Sequence, residues 1–475
     1  MQDEPPLVVD LDGTLIKSDM LLETLVGVVR RGPWLVFLLP FWLMRGRAGL
    51  KRELAQRAQL SPEKLPYRAE VLRWIDEERG RGRRLVLATA SDEKVAQGIA
   101  DHLGTFDDVM ASNGRDNLKG AAKRDALVER FGERGFDYAG DGVADLPVWS
   151  SARRAIVVGN DATLAAAAGR AATESQTIPV QDAPLPVTRA LRVQQWPKNL
   201  LVFVPVVTSH SAHDPQAWAA ALLAFAAFCC AASAIYIVND LVDLQSDRVH
   251  ARKRKRPFAA GDLGIGWGIA LLPLLLAASI AIALQAGPGL ALSVAVYAAA
   301  AMLYSMLLKR IAVVDILMIA LFYTLREVGG AVAIGVEMSD WLLGFSMALF
   351  VSLALAKRHA ELHRAADAGL APAALLPGRS YRVGDLDRVA GAGVSFGLVA
   401  VVVFAIYITH SQVTVLYSRP AILWLADALL AFWLARVWRL AHLGKLGEDP
   451  LSFALHDAPS YGVALLTLLA VYAAT

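Results

Sequence analysis

The sequence predicts two folds in one chain: an N-terminal α/β domain with a parallel sheet, then an all-α polytopic membrane bundle. Three observations carry this. The chain has 475 residues, more than one ordinary core accommodates. Hydrophobic residues make up 56% and charged residues only 19%, below the ~25% usual in soluble domains, and the mean hydropathy is +0.43. The pattern also changes near residue 190, from short β-rich runs to long apolar segments.

Before that change, "PLVVDLDGT", "RRLVLATAS", "FDYAGDG" and "RAIVVGN" alternate with helical stretches. Such alternation predicts a parallel sheet flanked by helices. The segment "AAAAGRAATESQTIPVQDAPLPV" then loses periodicity and gains small residues and prolines, which reads as the end of the domain and a linker. The domains expected are 1–170, a linker over 171–188, and a membrane domain over 189–475.

Nine apolar segments follow, each near the ~20 residues that a spanning helix needs: 195–209, 216–238, 265–286, 288–307, 313–334, 341–357, 390–409, 418–436 and 460–474. One set of loops is basic, with Arg248 and Arg252 to Arg256; Lys309 and Arg310; Lys357, Arg358, Arg364, Arg379 and Arg382; and Arg436, Arg439 and Lys445. The other set holds only Arg419. The positive-inside rule makes the basic loops cytoplasmic. The N-terminus lacks the basic and apolar regions of a signal peptide, so the first domain is expected on the same side of a bacterial-type plasma membrane.

The remaining bulk features exclude more than they assign. The net charge of +3 says little by itself, and no nucleic-acid partner is expected. The two cysteines, Cys229 and Cys230, are neighbours in an apolar run and form no structural disulfide. The stretch Gly32–Met44, "GPWLVFLLPFWLM", is too short to span. Its flanking Arg30, Arg31, Arg45 and Arg47 and its aromatic ends favour an interfacial helix over a buried cap helix.

The first acidic site is "VVDLDGTL". Asp10 and Asp12 end the first predicted strand, where α/β sheets place ligand sites, and Gly13 permits the tight turn that exposes both. Two carboxylates so spaced can divide labour, one attacking phosphorus and the other moving a proton. Thr89, Lys123 and "GDGVADLP", with Asp141 and Asp145, follow in order. This D-x-D-G-T, Thr, Lys, G-D-x-x-x-D series, over about residues 5–165, resembles the haloacid dehalogenase-type phosphatases, in particular the phosphoserine phosphatase subgroup. The resemblance implies a Rossmann-like domain with a helical cap over about 21–78. It makes Asp10 the nucleophile that forms an aspartyl-phosphate and Asp12 the acid/base. Thr89 and Lys123 hold phosphate, with Lys119 a rival for the lysine role. Asp10, the Asp12 carbonyl and Asp141 bind Mg²⁺, with Asp145 in support.

The second acidic site is "NDLVDLQSD". Asp240, Asp243 and Asp247 stand at i, i+3 and i+7, so one helix would put them on one face. Hard oxygen donors with no Cys or His set nearby suit Mg²⁺ rather than zinc. The string Asn239–Asp247, followed by "RPFAAG" from Arg256, resembles the UbiA-type prenyltransferase superfamily over about 187–475. Nine helices and a trimeric homo-oligomer are that family's pattern. A second aspartate-rich motif is missing here. "LALAKRHAELHR", "QQWPKNLLV", "YSMLLKR" and "FYTLREVGGAVA" instead resemble the decaprenyl-phosphate phosphoribosyltransferase branch.

That branch implies transfer of 5-phosphoribose from phosphoribosyl diphosphate to a polyprenyl phosphate. One diphosphate leaving group needs one acidic motif, and the other phosphates need bases. Asn239, Lys198, Arg256, Lys309, Arg326, Lys357 and Arg358 are the substrate-binding residues expected, and Glu361 is expected to orient a base or a ribose hydroxyl. The N-terminal domain would then remove the 5-phosphate of the lipid-linked product. A rival expectation is alkylation of an aromatic or small acceptor by a prenyl diphosphate, with the phosphatase acting elsewhere.

Overall fold

A computed structural model describes residues 4–475 except 182, 377–379, 411–412, 414–415 and 448–449, and gives only the backbone of Ser452. Arg379, counted above among the loop bases, lies outside the described residues, as does Asp182 of the expected linker. The chain forms two compact units, one of Met1–Leu191 with Tyr236–Leu272, the other of Arg192–Ile235 with Pro273–Thr475.

In the first unit, β1 (Leu7–Val9), β2 (Leu85–Asp92), β3 (Asp108–Ser112), β4 (Asp137–Gly140), β5 (Arg154–Val158) and β6 (Glu174–Ile178) form one sheet. Their order is β3-β2-β1-β4-β5-β6, and every pair is parallel. Side chains alternate between two buried layers. Leu7, Val9, Leu85, Leu87 and Ile156 pack with Ile75 and Ile99 on one face. Val8, Val86, Tyr138 and Val157 pack with Leu127 and Trp149 on the other. Burial on both faces explains why the inner strands read as continuous apolar runs.

Two strands were not expected. β3 is one, and β6 falls inside the segment read as linker. Four of the five β6 residues are exposed, so this edge strand shows no hydrophobic alternation, and its pairing to β5 holds it in the sheet.

Between β1 and β2 the chain inserts helices Met20–Arg31, Gly46–Arg57 and Ala69–Gly80. Asp19 caps the first, accepting from the Leu21 and Leu22 amides at 2.8 and 3.2 Å. The stretch Gly32–Met44 becomes a 3₁₀ turn, Pro33–Leu38, and a short helix, Leu39–Leu43. Its prolines favour helix starts and prevent one continuous helix. Trp42 packs with Val28 and Leu54, whereas Trp34, Phe37, Phe41 and Met44 are 65–83% exposed. One side of the stretch therefore belongs to the cap and the other faces outward.

Asp137 anchors the start of β4. Its carboxylate, fully buried, accepts from Arg153 at 2.9 and 2.7 Å and from Arg83, which also meets Glu78. Burial alone would raise this carboxyl, but the hydrogen bonds from Arg153 and Arg83 outweigh it and hold it below the usual carboxylate range. Asp137→Ala should destabilise the domain by about 1–3 kcal/mol, because it leaves buried donors of Arg83 and Arg153 unsatisfied while Glu78 remains as the carboxylate partner of Arg83. The stabilisation is complete above the unfolded carboxyl value of about 3.9 and is lost as pH falls through the lower folded value. Thermal unfolding of the full chain should show a deficit at neutral pH that shrinks in acid. A deficit independent of pH would remove the carboxylate from the explanation.

The helical part is a multi-pass membrane bundle. Among the described residues, seven helices are long and apolar enough to span: Pro215–Val242, Ile265–Ala286, Pro288–Met306, Ala312–Ile334, Asp340–Asp367, Val383–Thr409 and Pro420–His442. The expectation of nine is reduced at its two ends. The first expected span is a 3₁₀ segment, Val193–Phe203, and a short helix, Val204–Thr208. Pro197 and Pro205 interrupt it. It packs close to the Ala312–Ile334 helix at Gly330, where a Cβ would stand 2.1 Å from the Val202 carbonyl oxygen. The last, Ala458–Ala474, has only 17 residues.

Candidate active sites

The sheet order reverses between β1 and β4, and open α/β sheets bind ligands beyond the strand ends at such a point. Asp10 follows β1 and Asp141 follows β4, so the topology brings them together. Gly13 makes this possible. Its φ is +77°, and a Cβ there would lie 2.1 Å from an Asp141 oxygen. Thr14 donates to Asp141 at 3.0 Å, and Arg68 of the cap region donates to the Gly13 carbonyl at 2.8 Å.

Lys123 Nζ lies 2.9 Å from Asp10 Oδ1 and donates to the Tyr138 hydroxyl at 2.8 Å. Tyr138 in turn donates to Asp145 at 2.8 Å. This arrangement puts Lys123, rather than Lys119, beside Asp10. Asp10, Asp141 and Asp145 present carboxylate oxygens within 4.8 Å of one another. Three hard donors so crowded fit Mg²⁺, and Asp141 shows the strain of crowding. Burial first, then the charges of Asp145 and Asp10, push its carboxyl up to about 7.

Asp12 points elsewhere. It accepts from the Met20 amide at 2.7 Å and from Ser91 Oγ at 2.9 Å. Desolvation, then Asp19 and Asp10, raise it to about 7. A carboxyl in that range both gives and takes a proton near neutrality. Its side chain lies outside the three-carboxylate cluster. Thr89 is buried, and its hydroxyl accepts from the Ser91 amide at 3.0 Å. The cap contributes Lys51, which reaches the Ala90 carbonyl at 2.6 Å and Asn117 at 2.8 Å.

The second acidic motif departs from one unbroken helix. The helix Pro215–Val242 ends before Asp243, which starts the helix Leu244–Val249. The i→i−4 hydrogen bonds nevertheless continue, from the Asp243 amide to the Asn239 carbonyl and from the Asp247 amide to the Asp243 carbonyl, both 2.9 Å. Asp240 and Asp247 are buried, and one Arg256 nitrogen lies 3.1 Å from the first and 2.5 Å from the second. The two carboxylates thus converge on a single cation. Arg256, expected to bind substrate, is engaged here as their counter-ion. Burial raises the Asp247 carboxyl, against Arg256 and Lys253. Oxygen donors held in this way suit a divalent ion bound with phosphate.

In the second unit, Arg326 is buried in its span, with Asn199 Oδ1 at 2.7 Å, Tyr297 Oη at 2.8 Å and its guanidinium 4.8 Å over the Tyr297 ring. Neutral partners satisfy the charge that the sequence leaves apparently isolated. Arg358 is fully buried and takes both oxygens of Asp315, at 2.6 and 2.9 Å, with Glu361 as a third contact. Its guanidinium is committed to carboxylates rather than offered to a phosphate. Glu361 meets the Arg358 guanidinium. Lys198, Lys309 and Lys357 are half-buried.

Several site residues escaped the sequence reading. Asp315 and Tyr297 sit in apolar strings whose periodicity identifies only helices, and Asn199 stands in the polar run at the start of the first apolar segment. Ser91, two residues beyond Thr89 in "TAS", was in plain view. Tyr138 was masked by its role as a core strand residue.

Residues 200–458 match the model of the UbiA prenyltransferase family. The chain belongs to this family. Residues 7–150 match the haloacid dehalogenase-like hydrolase model, so a haloacid dehalogenase-like domain is fused to the UbiA domain. The uncharacterized protein y4nM of Sinorhizobium fredii is 40% identical over 469 residues, 97% of this chain and 89% of its own. A decaprenyl-phosphate phosphoribosyltransferase of Corynebacterium glutamicum is 39% identical over 180 residues, 37% of this chain and 54% of that protein. This UbiA chain therefore matches about half the length of that relative. A solved UbiA homologue from Archaeoglobus fulgidus, bound to GPP and Mg²⁺, is 15% identical, with 61% of this chain and 98% of that one covered at a TM-score of 0.44.

Proposed function

We propose that this enzyme performs two consecutive phosphate reactions on one lipid at the cytoplasmic face of a plasma membrane. In the first, the UbiA domain transfers 5-phosphoribose from phosphoribosyl diphosphate to a polyprenyl phosphate. In the second, the haloacid dehalogenase-like domain removes the 5-phosphate. The observation that carries the reading is the compact unit itself. The Asp240–Arg256 segment folds with the phosphatase domain, and a buried Glu23–Arg248 ion pair joins it to the cap. Similarity to a decaprenyl-phosphate phosphoribosyltransferase supports the choice of donor and acceptor.

In the transfer, an oxygen of the lipid phosphate attacks ribose C1 as diphosphate leaves. Asp240, Asp243 and Asp247 would hold Mg²⁺ in this domain, and Asp10, Asp141 and Asp145 in the other; the ion would supply neutralisation of phosphate oxygens. The bases Lys198, Lys309 and Lys357 bind the remaining phosphates, while Arg326 and Arg358 position neighbouring groups.

In the hydrolysis, an Asp10 oxygen attacks phosphorus while Lys123 balances the charge. The Asp12 carboxyl gives its proton to the departing sugar oxygen, then takes one from the water that frees Asp10. Ser91 and the Met20 amide hold Asp12 in place.

Purified protein given radiolabelled phosphoribosyl diphosphate and polyprenyl phosphate should transfer label to lipid. Transfer of a prenyl group from a prenyl diphosphate to an aromatic acceptor, with no label in lipid, would replace this reading.

The exposed Trp34, Phe37 and Phe41 let the cap lie on the bilayer and bring Asp10 to a headgroup that cannot leave it. Replacing all three with Ser should slow hydrolysis of the lipid substrate by roughly tenfold or more, since each buried aromatic side chain contributes about 1.5–3 kcal/mol. The rate on a soluble ester should be unaltered. Equal slowing of both would make the segment structural.

A further inference from the structure

The first compact unit also contains a cleft of about 740 Å³, separate from both acidic clusters. Its volume suits a small organic ligand rather than a bare ion. Five bases line it, Lys64, Arg189, Arg248, Arg254 and Lys255, against two acids, Glu63 and Asp262. Arg248 is committed to Glu23, and Arg189 to Asp262 at 3.4 Å and the Lys255 carbonyl at 2.5 Å. Lys64 has only Glu63, at 4.0 Å. Among the described residues, no ion pair engages the side chain of Arg254 or Lys255. A concave site with both acids spent and cations left over concentrates anions.

The two walls lead to the two chemistries. On one side, Pro66 accepts from the Lys17 amide at 3.0 Å, and the next residue but one, Arg68, holds the Gly13 carbonyl of the nucleophile turn. On the other side, the wall starts at Arg248, immediately after Asp247. It includes Arg254 and Lys255, immediately before the Arg256 that bridges Asp240 and Asp247.

We infer that this cleft binds a phosphomonoester, the phosphorylated sugar headgroup of a lipid, in passage from the transferase motif to Asp10. The inference rests on the two-step reading above for its ligand, while the anion chemistry of the cleft stands on the residues alone. A lipid headgroup and a free sugar phosphate share that chemistry, and two arms of one experiment separate them.

In the first arm, full-length protein in detergent is acylated with a lysine-specific reagent, with and without ribose 5-phosphate at matched ionic strength. Ribose 5-phosphate should protect Lys64 and Lys255, and unchanged labelling of both would overturn the cleft as an anion site. In the second arm, wild type and Lys64→Gln/Lys255→Gln act in liposomes on polyprenyl phosphate and labelled phosphoribosyl diphosphate. The variant should hydrolyse p-nitrophenyl phosphate at the wild-type rate but clear the lipid-linked phosphosugar about tenfold more slowly, the scale of two exposed charge contacts. An unaltered clearance rate, despite protection in the first arm, would assign the cleft to free sugar phosphates and overturn the hand-off. If wild type forms no lipid-linked phosphosugar while protection persists, the two-step reading falls and the anion site remains.

Discussion

Asp10→Asn should lower phosphate release by roughly 10⁴-fold or more, the scale on which enzymes lose rate with their attacking atom. The geometry makes this substitution unusually clean. Asn keeps the shape and can still accept at one oxygen from the Leu11 amide, as Asp10 does at 2.7 Å. On the proposed mechanism the attacking carboxylate oxygen is lost, and Lys123 loses a negatively charged partner. Relief of crowding accompanies it, because Asp10 is one of the charges that raise Asp12 and Asp141. The variant should therefore fold normally and still transfer phosphoribose to lipid. Rate measurements on both steps, with gel filtration of the full chain, check the prediction. Phosphate release above one-tenth of wild type would move the nucleophile elsewhere.

Asp247→Asn should lower Mg²⁺-dependent transfer on the order of 10²–10³-fold, the usual consequence of deleting one preorganised electrostatic contact to developing charge. Asp247 is chosen because it is buried and converges with Asp240 on Arg256. The substitution removes one negative charge from a pair poised around one cation. Asp243 should behave similarly, since it starts the turn that carries Asp247. Hydrolysis of a soluble phosphate ester by the same variant should stay within about twofold of wild type, because Asp247 lies outside the Asp10 cluster and additivity holds for separate sites. Normal transfer by a folded Asp247→Asn protein would make the motif a structural ion-pair cluster rather than a metal site.

Much of this was legible in the sequence because the signals were local. "VVDLDGT" announces a strand, a tight turn and two carboxylates within seven residues, and the fold places Asp10 and Gly13 as that string requires. The inner strands β1, β2, β4 and β5 were legible from their apolar runs. β6 was not, because an edge strand held by pairing to β5 carries no pattern of its own.

Partners distant in sequence were the hardest to read. The Asp315–Arg358 pair spans 43 residues and Asn199–Arg326 spans 127. Asp315 looks like a lone polar residue in an apolar string until packing supplies its mate. Arg358 shows the consequence, since a basic residue at a helix end reads as a phosphate ligand when its carboxylates are out of sight. Seven of the nine expected spans appear as single long apolar helices among the described residues; hydropathy counts apolar residues, but Pro197 and Pro205 decide whether the first segment forms one helix.

On the proposed function, one chain carries a lipid through both phosphate reactions in order. Liposomes containing polyprenyl phosphate, Mg²⁺ and phosphoribosyl diphosphate, with wild type or Asp10→Asn, test it most directly by resolving the lipid products. Wild type should accumulate polyprenyl-phosphoryl-ribose, whereas Asp10→Asn should stop at its 5-phosphate with the transfer rate roughly preserved. If both proteins stop at the same lipid, the two domains form no relay and the phosphatase acts on another substrate.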